Sequence, residues 1–281
     1  MSLRKPEWMR VKLQGSQTTN KVKGLIEDLN LNTVCTGANC PNRMECFNRG
    51  TATFMVLGNY CTRNCKFCDV VTARPEAVDK QEPTNIAQAV NKLDLKHAVI
   101  TSVTRDDLPD QGANHFKEIV YSIKEINPNT TVELLIPDMQ GQTDLIDIII
   151  NADPDVLNHN IETVPRLYDR VRPQAIFQRS LDLLKYVKKQ KPDMVTKSGI
   201  MVGLGESKDE VIETMKALRN VDCNMLTIGQ YLQPSKNHLP VEEYITPDQF
   251  KEYETIGLDL GFKHVASGPL VRSSYHADKF M

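Results

Sequence analysis

The sequence has no surplus of charge and no long apolar run. Lys plus Arg number 34 and Asp plus Glu 36, a formal net charge of −2. Without excess positive charge to neutralise a polyanion, nucleic acid is excluded as the main partner. No apolar stretch reaches the roughly 18 residues a membrane-spanning helix requires, so no membrane partner is expected. The opening Met1-Ser-Leu-Arg-Lys-Pro-Glu-Trp8 lacks the apolar core of a secretory signal, and the expected compartment is the reducing cytoplasm. What is present is ordinary globular material. At 281 residues, 40% hydrophobic and 25% charged, the chain can bury a sizeable core in one large domain or two modest ones.

The exception is cysteine. Six of the seven, Cys35, Cys40, Cys46, Cys61, Cys65 and Cys68, crowd into one stretch, while Cys223 stands alone. An odd total without an export signal argues against a disulfide framework. The six form two trios, C-x4-C-x5-C and C-x3-C-x2-C, on either side of a strand-like run at residues 51–59. A structural zinc site is closed by four ligands, and an iron–sulfur cubane also wants four. Each trio therefore leaves one corner open to a substrate, a cofactor or an unusual protein ligand, which favours chemistry over scaffolding. A zinc knuckle is the bland alternative. No C-x2-C unit pairs with another, however, and no histidine lies between residues 35 and 68. Cys223, at the entry to an apolar run, reads as a small buried hydrophobe.

Cys61-Thr-Arg-Asn-Cys65-Lys-Phe67-Cys68 resembles the signature of the radical S-adenosylmethionine (SAM) superfamily. Together with Cys35-Thr-Gly-Ala-Asn-Cys40-Pro-Asn-Arg-Met-Glu-Cys46 and Val271-Arg-Ser-Ser-Tyr-His-Ala277, the chain resembles the lipoyl synthase family from Arg4 to its end. Further stretches similar to that family include Thr101-Ser-Val-Thr-Arg-Asp-Asp-Leu108, Leu157-Asn-His-Asn-Ile-Glu-Thr163 and Lys197-Ser-Gly-Ile-Met-Val-Gly-Leu-Gly-Glu206. Asn64 and Lys66 depart from the Arg and Pro of many members, at positions between ligands. The resemblance implies that Cys61, Cys65 and Cys68 hold a [4Fe-4S] cluster whose open iron is chelated by SAM. It implies that Cys35, Cys40 and Cys46 hold an auxiliary [4Fe-4S] cluster, with Ser273, rather than Ser274, as fourth ligand. A hard oxygen on a cluster iron is unusual and suits a cluster consumed as a sulfur source. The partners implied are octanoylated lipoyl carrier proteins (2-oxoacid dehydrogenase E2 lipoyl domains and the glycine cleavage H protein), a flavodoxin- or ferredoxin-type reductant and an iron–sulfur carrier for cluster repair.

Short β-rich runs alternate with amphipathic helical stretches. Residues 53–58, 97–103, 131–137, 155–159, 196–202 and 224–231 read as strands, about one per 30 to 35 residues, the size of a βαβ unit. Ser207-Lys-Asp-Glu210 is a capping box, and Thr246-Pro247 a helix start with Pro at its first position. The expected fold is α/β, a partial (βα)6 barrel of the TIM type at residues 51–262, because six units are too few for a closed eight-stranded barrel. Residues 1–50 and 263–281 are the expected cluster-bearing extensions. Ligands of parallel sheets sit at the C-terminal strand ends. That points to Phe67 in the cysteine loop and to Thr104, Asn158, Glu162, Arg172, Gly203 and Gln230 as SAM contacts. His159 and His276 read as structural hydrogen-bonding groups.

The implied reaction replaces hydrogens on C6 and C8 of an octanoyl chain with sulfur. No side chain titrating near neutral pH can ionise an unactivated C–H bond, so a radical cofactor must act. A biotin-synthase-like enzyme is the runner-up, and it has no use for the first cysteine trio.

Overall fold

Strand β1 (Thr53–Val56) is buried at every position, as befits a parallel strand covered on both faces. The computed structural model describes residues 4–10 and 15–277. The remaining strands are β2 (Tyr60–Cys61), β3 (Val71–Thr72), β4 (His97–Ser102), β5 (Thr131–Leu135), β6 (Val156–Asn158), β7 (Val195–Val202), β8 (Met225–Gln230) and β9 (His264–Gly268). The main sheet runs β1-β4-β5-β6-β7-β8-β9, and β2 pairs with β3 in a small sheet of its own. Its strands pair in parallel: Thr53 lies opposite Val99, His97 opposite Thr131, Lys197 opposite Met225, and Met225 opposite His264.

The helices are α1 (Gln17–Asp28), α2 (Val34–Gly37), α3 (Arg43–Asn48), α4 (Glu82–Lys92), α5 (Ala113–Ile126), α6 (Thr143–Asn151), α7 (Tyr168–Val171), α8 (Phe177–Gln190), α9 (Lys208–Arg219) and α10 (Pro247–Asp259). Long helices between successive strands provide the crossovers that parallel pairing demands. The capping box at Ser207 and Glu210 forms in both directions, and Thr246 caps α10 through the Gln249 N–H. Each cap contributes about 1 kcal/mol. Helix α5 buries Phe116, Ile119, Val120 and Ile123 at helical spacing, each side chain contributing roughly 1.5–3 kcal/mol. That apolar stripe fixes which face meets the sheet.

All six expected strands form, within two residues at each end. Two features exceed the expectation: β9 extends the main sheet to seven strands, and β2 and β3 frame the cysteine loop. The chain divides into two compact units. One holds residues 64–68 and 158–275 with the stretch ending at Arg10; the other holds 11–63, 69–157 and the residues from His276 onward. Of the extensions expected at 1–50 and 263–281, residues 1–3, 11–14 and 278–281 lie outside the described residues. No helix among the described residues is long and apolar enough to cross a membrane.

Candidate active site

The first cysteine trio is built by short helices. Thr33 caps α2 by accepting from the Thr36 N–H at 3.3 Å, and Cys35 lies in the turn it starts. The Cys40 N–H returns to the Cys35 carbonyl (3.1 Å) and the Cys46 N–H to Asn42 (2.9 Å), folding the intervening segment back on itself. Cys35 packs with Val22, Phe47 and Ala52, and Cys46 lies against the same cluster. Burial pushes the Cys35 thiol up to about 11, reinforced by the charge of Cys40. It pushes Cys46 up to about 12, with Cys35, Cys40 and Glu45 adding to it. The charge of Cys40 raises both Cys35 and Cys46, and that of Cys35 raises Cys46, so the three sulfurs lie close together and need cationic compensation to ionise. All seven cysteines are thiols, and among the described residues no three His, Cys, Asp or Glu side chains form a single-ion site. Soft, mutually coupled sulfur donors in apolar surroundings fit a [4Fe-4S] cluster.

The second trio begins at a turn. Leu57 and Gly58 are both left-handed (φ 68° and 98°) and lead into β2, which carries Cys61. Its sulfur accepts from the Thr104 N–H (3.3 Å) and the Arg63 N–H (3.4 Å). Hydrogen bonds of this kind tune cluster sulfurs. Arg63 itself is buried. Its guanidinium makes a two-point contact with Asp106 (2.7 and 2.8 Å) and reaches Asp138 at 2.8 Å. Burial works to lower the Arg63 pKa, but bonds to Asp106 and Asp138 hold it above its ordinary value. Desolvation likewise works to raise Asp106, and Arg63 brings it below the usual carboxylate range. In the other unit, the Lys66 N–H donates to Val171 O (2.9 Å) and His238 Nε2 to the Cys68 carbonyl (3.0 Å), fixing the loop through Cys65, half-buried Phe67 and Cys68.

The polar strand ends of that unit form a connected set. Asn158 is fully buried at the end of β6. Arg172 Nη1 donates to the carbonyls of Asn160 (3.0 Å) and Ile161 (3.3 Å), and its guanidinium lies 5.6 Å from the centre of the Tyr168 ring. Desolvation raises the Glu162 carboxyl, opposed by Arg172 and a hydrogen bond from Asn160. Asn160 Nδ2 also donates to Ser273 Oγ at 2.9 Å. Gly203 is left-handed, and a Cβ there would fall 2.1 Å from Gln230 Nε2 and 2.4 Å from the Glu243 carbonyl. The Gln230 side-chain amide is spent on Val202, Tyr231 and Glu243 carbonyls and on the Ile245 N–H. Glu206 closes this turn by accepting from the Leu204 N–H at 2.9 Å.

Cys35, Cys40 and Cys46 thus come together, as do Cys61 with Thr104, Glu162 with Arg172, and Gly203 with Gln230. His159 bonds Ser180 (2.9 Å) and His276 bonds Arg49 (2.9 Å) and Glu45 (3.2 Å), both structural roles. Cys223 is buried with its thiol pushed up to about 12 by desolvation. A cavity of about 420 Å³ borders Leu57, Gly112 and His115, and none of the expected site residues lines it. The sequence alone does not single out Arg63. Its only signal there is a basic residue inside the C-x3-C spacing, with its acidic partners 43 and 75 positions downstream.

The family model described as the radical SAM superfamily matches residues 55–218. A solved structure of methylornithine synthase superposes with a TM-score of 0.58 at 15% identity, covering 94% of this chain and 85% of that one. The fold is accordingly the α/β partial barrel of the TIM type, and the chain is a radical SAM enzyme. Two relatives narrow this: lipoyl synthase of Caldanaerobacter subterraneus subsp. tengcongensis is 59% identical over 99% of this chain and 97% of its own length. Lipoyl synthase of Caldicellulosiruptor saccharolyticus is 54% identical over 99% and 98%. The chain belongs to the lipoyl synthase family.

Proposed function

We propose that this chain is a sulfurtransferase that inserts two sulfur atoms, at C6 and C8, into a protein-bound octanoyl-lysine to form the lipoyl cofactor. The observation that carries this reading is the pair of thiol trios: a radical SAM enzyme needs one, and Cys35, Cys40 and Cys46 form a second set of soft donors whose charges act on one another. Cys61, Cys65 and Cys68 would hold one cluster, and Cys35, Cys40, Cys46 and Ser273 a second; with these and SAM bound, the site would supply radical hydrogen abstraction and sulfur.

The remaining residues bind, orient and exclude. Thr104 and Arg63 direct backbone N–H groups at the Cys61 sulfur. Glu162, Arg172, Asn158 and Phe67 offer charge, hydrogen bonds and an aromatic face to SAM, while Gly203 lets the backbone approach it closely. Holding the radical, the target carbon and a sulfide in contact while keeping out water is the protein's main contribution to rate. The macromolecular partners are octanoylated carrier domains, a flavodoxin- or ferredoxin-type reductant and an iron–sulfur carrier, and the setting is the cytoplasm.

The test is mass spectrometry of an octanoyl-lysine peptide incubated with the anaerobically reconstituted protein, SAM and a reductant. Gain of two sulfur atoms with release of 5′-deoxyadenosine is the expected result. Protein that binds stoichiometric zinc, remains colourless and leaves the peptide unchanged overturns it.

A further inference from the structure

Leu57 is the last residue before Gly58 in the turn that sends the chain from β1 toward Cys61, and its backbone is left-handed (φ 68°). Glycine enters that region freely; leucine does so only where the surroundings over-determine it. Both of its peptide groups are gripped by side chains from distant segments. The N–H donates to Glu82 Oε2 at 2.9 Å and the carbonyl accepts from Arg105 Nη1 at 3.1 Å, both bonds being buried. Glu82 opens α4, and its Oε2 also meets His115 Nε2 of α5 at 2.6 Å. Arg105 is held by two bonds of 2.9 Å to Asp107. The leucine side chain lies against left-handed Gly112, where a Cβ would come within 2.4 Å of Leu57 Cδ1.

Charged side chains buried this deeply, Glu82 at 5% exposure and Arg105 at 2%, are costly to desolvate, and what they do in return is pair the buried N–H and carbonyl of Leu57. The bonds they make are spent on the geometry of one turn. The segment that supplies Arg105 also grips the far side of that turn: the Thr104 N–H meets the Cys61 sulfur, the Thr104 carbonyl accepts from the Thr62 N–H (3.0 Å), and Asp106 holds Arg63. Segment 104–106 therefore sets both where β1 ends and where Cys61 stands.

We propose that Glu82 and Arg105, with His115 orienting the Glu82 carboxylate, are positioning residues that aim Cys61 and thereby govern assembly of the radical-generating cluster. This rests on the reading of Cys61 as a cluster ligand. They act through the Leu57 peptide groups.

The test uses the full chain in two forms, Glu82→Ala, which deletes the acceptor, and Glu82→Gln, which keeps an oxygen for the Leu57 N–H. Amide hydrogen exchange is followed in the metal-free protein, and iron per chain is measured after anaerobic reconstitution. Glu82→Ala is expected to speed exchange at residues 57–63 by at least about tenfold while β7 to β9 exchange as in the wild type. It is also expected to lower iron from about eight to about four per chain, the loss of one cubane. Glu82→Gln is expected to keep wild-type values of both. Full iron loading in Glu82→Ala, or equal losses in the Gln variant, overturns the proposal. Wild-type iron loading that survives in full in Cys61→Ala would instead refute Cys61 as a ligand, with the exchange at 57–63 still reporting on the clamp.

Discussion

Asn160 donates a 2.9 Å hydrogen bond to the hydroxyl of Ser273, joining the end of β6 to the C-terminal segment across 113 residues of sequence. That segment is held from a second side, because a Cβ on Gly229 of β8 would fall 2.2 Å from the Val271 carbonyl. Ser273 is thus fixed in place by its unit rather than carried on a loose tail. Asn160→Ala is expected to lower the ratio of lipoyl product to 5′-deoxyadenosine on the order of fivefold, the equivalent of one hydrogen bond, with SAM cleavage retained. Quantifying both products in one chromatographic run checks it.

Replacing the hydroxyl by a thiol tests the ligand's weakness. Ser273→Cys is expected to keep both clusters and to cleave SAM, yet to make little lipoyl product, because a thiolate holds iron more firmly than an oxygen donor. Wild-type turnover in this variant would refute the labile-ligand idea.

Arg63 gives the apo-protein a defined acid response. Asp106 has its folded-state pKa depressed, with desolvation opposing and Arg63 prevailing. A depressed carboxylate stabilises the fold fully above its unfolded pKa of about 4 and loses that contribution as pH falls through the lower folded value. Thermal midpoints of metal-free protein should therefore fall as pH drops below about 4. In Arg63→Met the pH-7 midpoint should already be low, reflecting a loss of about 3–5 kcal/mol as Asp106 and Asp138 lose the buried cation. The acid slope should be correspondingly flattened.

The auxiliary thiols respond at the opposite end of the scale. Burial lifts Cys35 to about 11 and Cys46 to about 12. A raised thiol pKa stabilises the metal-free fold below the unfolded value near 9, and that stability drains away as pH climbs toward the folded values. At pH 8 the Cys46 thiolate is roughly a thousandfold scarcer than in an unperturbed thiol, and alkylation of the metal-free protein should be slowed by a comparable factor. Mass-spectrometric labelling rates give the answer directly, and unfolding, which removes the burial, should abolish the protection.

Much of this was legible because spacing is local. The cysteine trios, the capping box at Ser207 and the six main strands are all written within a few residues of themselves, and the capping box and the strands form as expected. Strand β9 escaped because His264-Val-Ala-Ser-Gly268 has one strongly apolar residue and a glycine; what makes it a strand is β8 alongside it, with Met225 opposite His264. The supports of the site escaped for the same reason. Arg63 means little until Asp106 and Asp138 face it, and Glu82 looks like a helix-start carboxylate until the Leu57 N–H is seen to point at it. Gln230 was legible as a strand-end polar residue, but not that its amide is occupied in tying β8 to residues 243–245.

The packing of Cys35 among Val22, Phe47 and Ala52 bears on the state left behind by each round of sulfur donation in the proposed reaction. A spent site lined by ionised sulfurs would be a hollow of stranded negative charge, and its walls would splay open to water. Cys35 and Cys46, whose thiols are pushed up to about 11 and about 12, instead relax to neutral, oily side chains the neighbouring helix residues can sit against. In the proposed cycle, refilling the site is then an exchange of protons on Cys35 and Cys46 for iron.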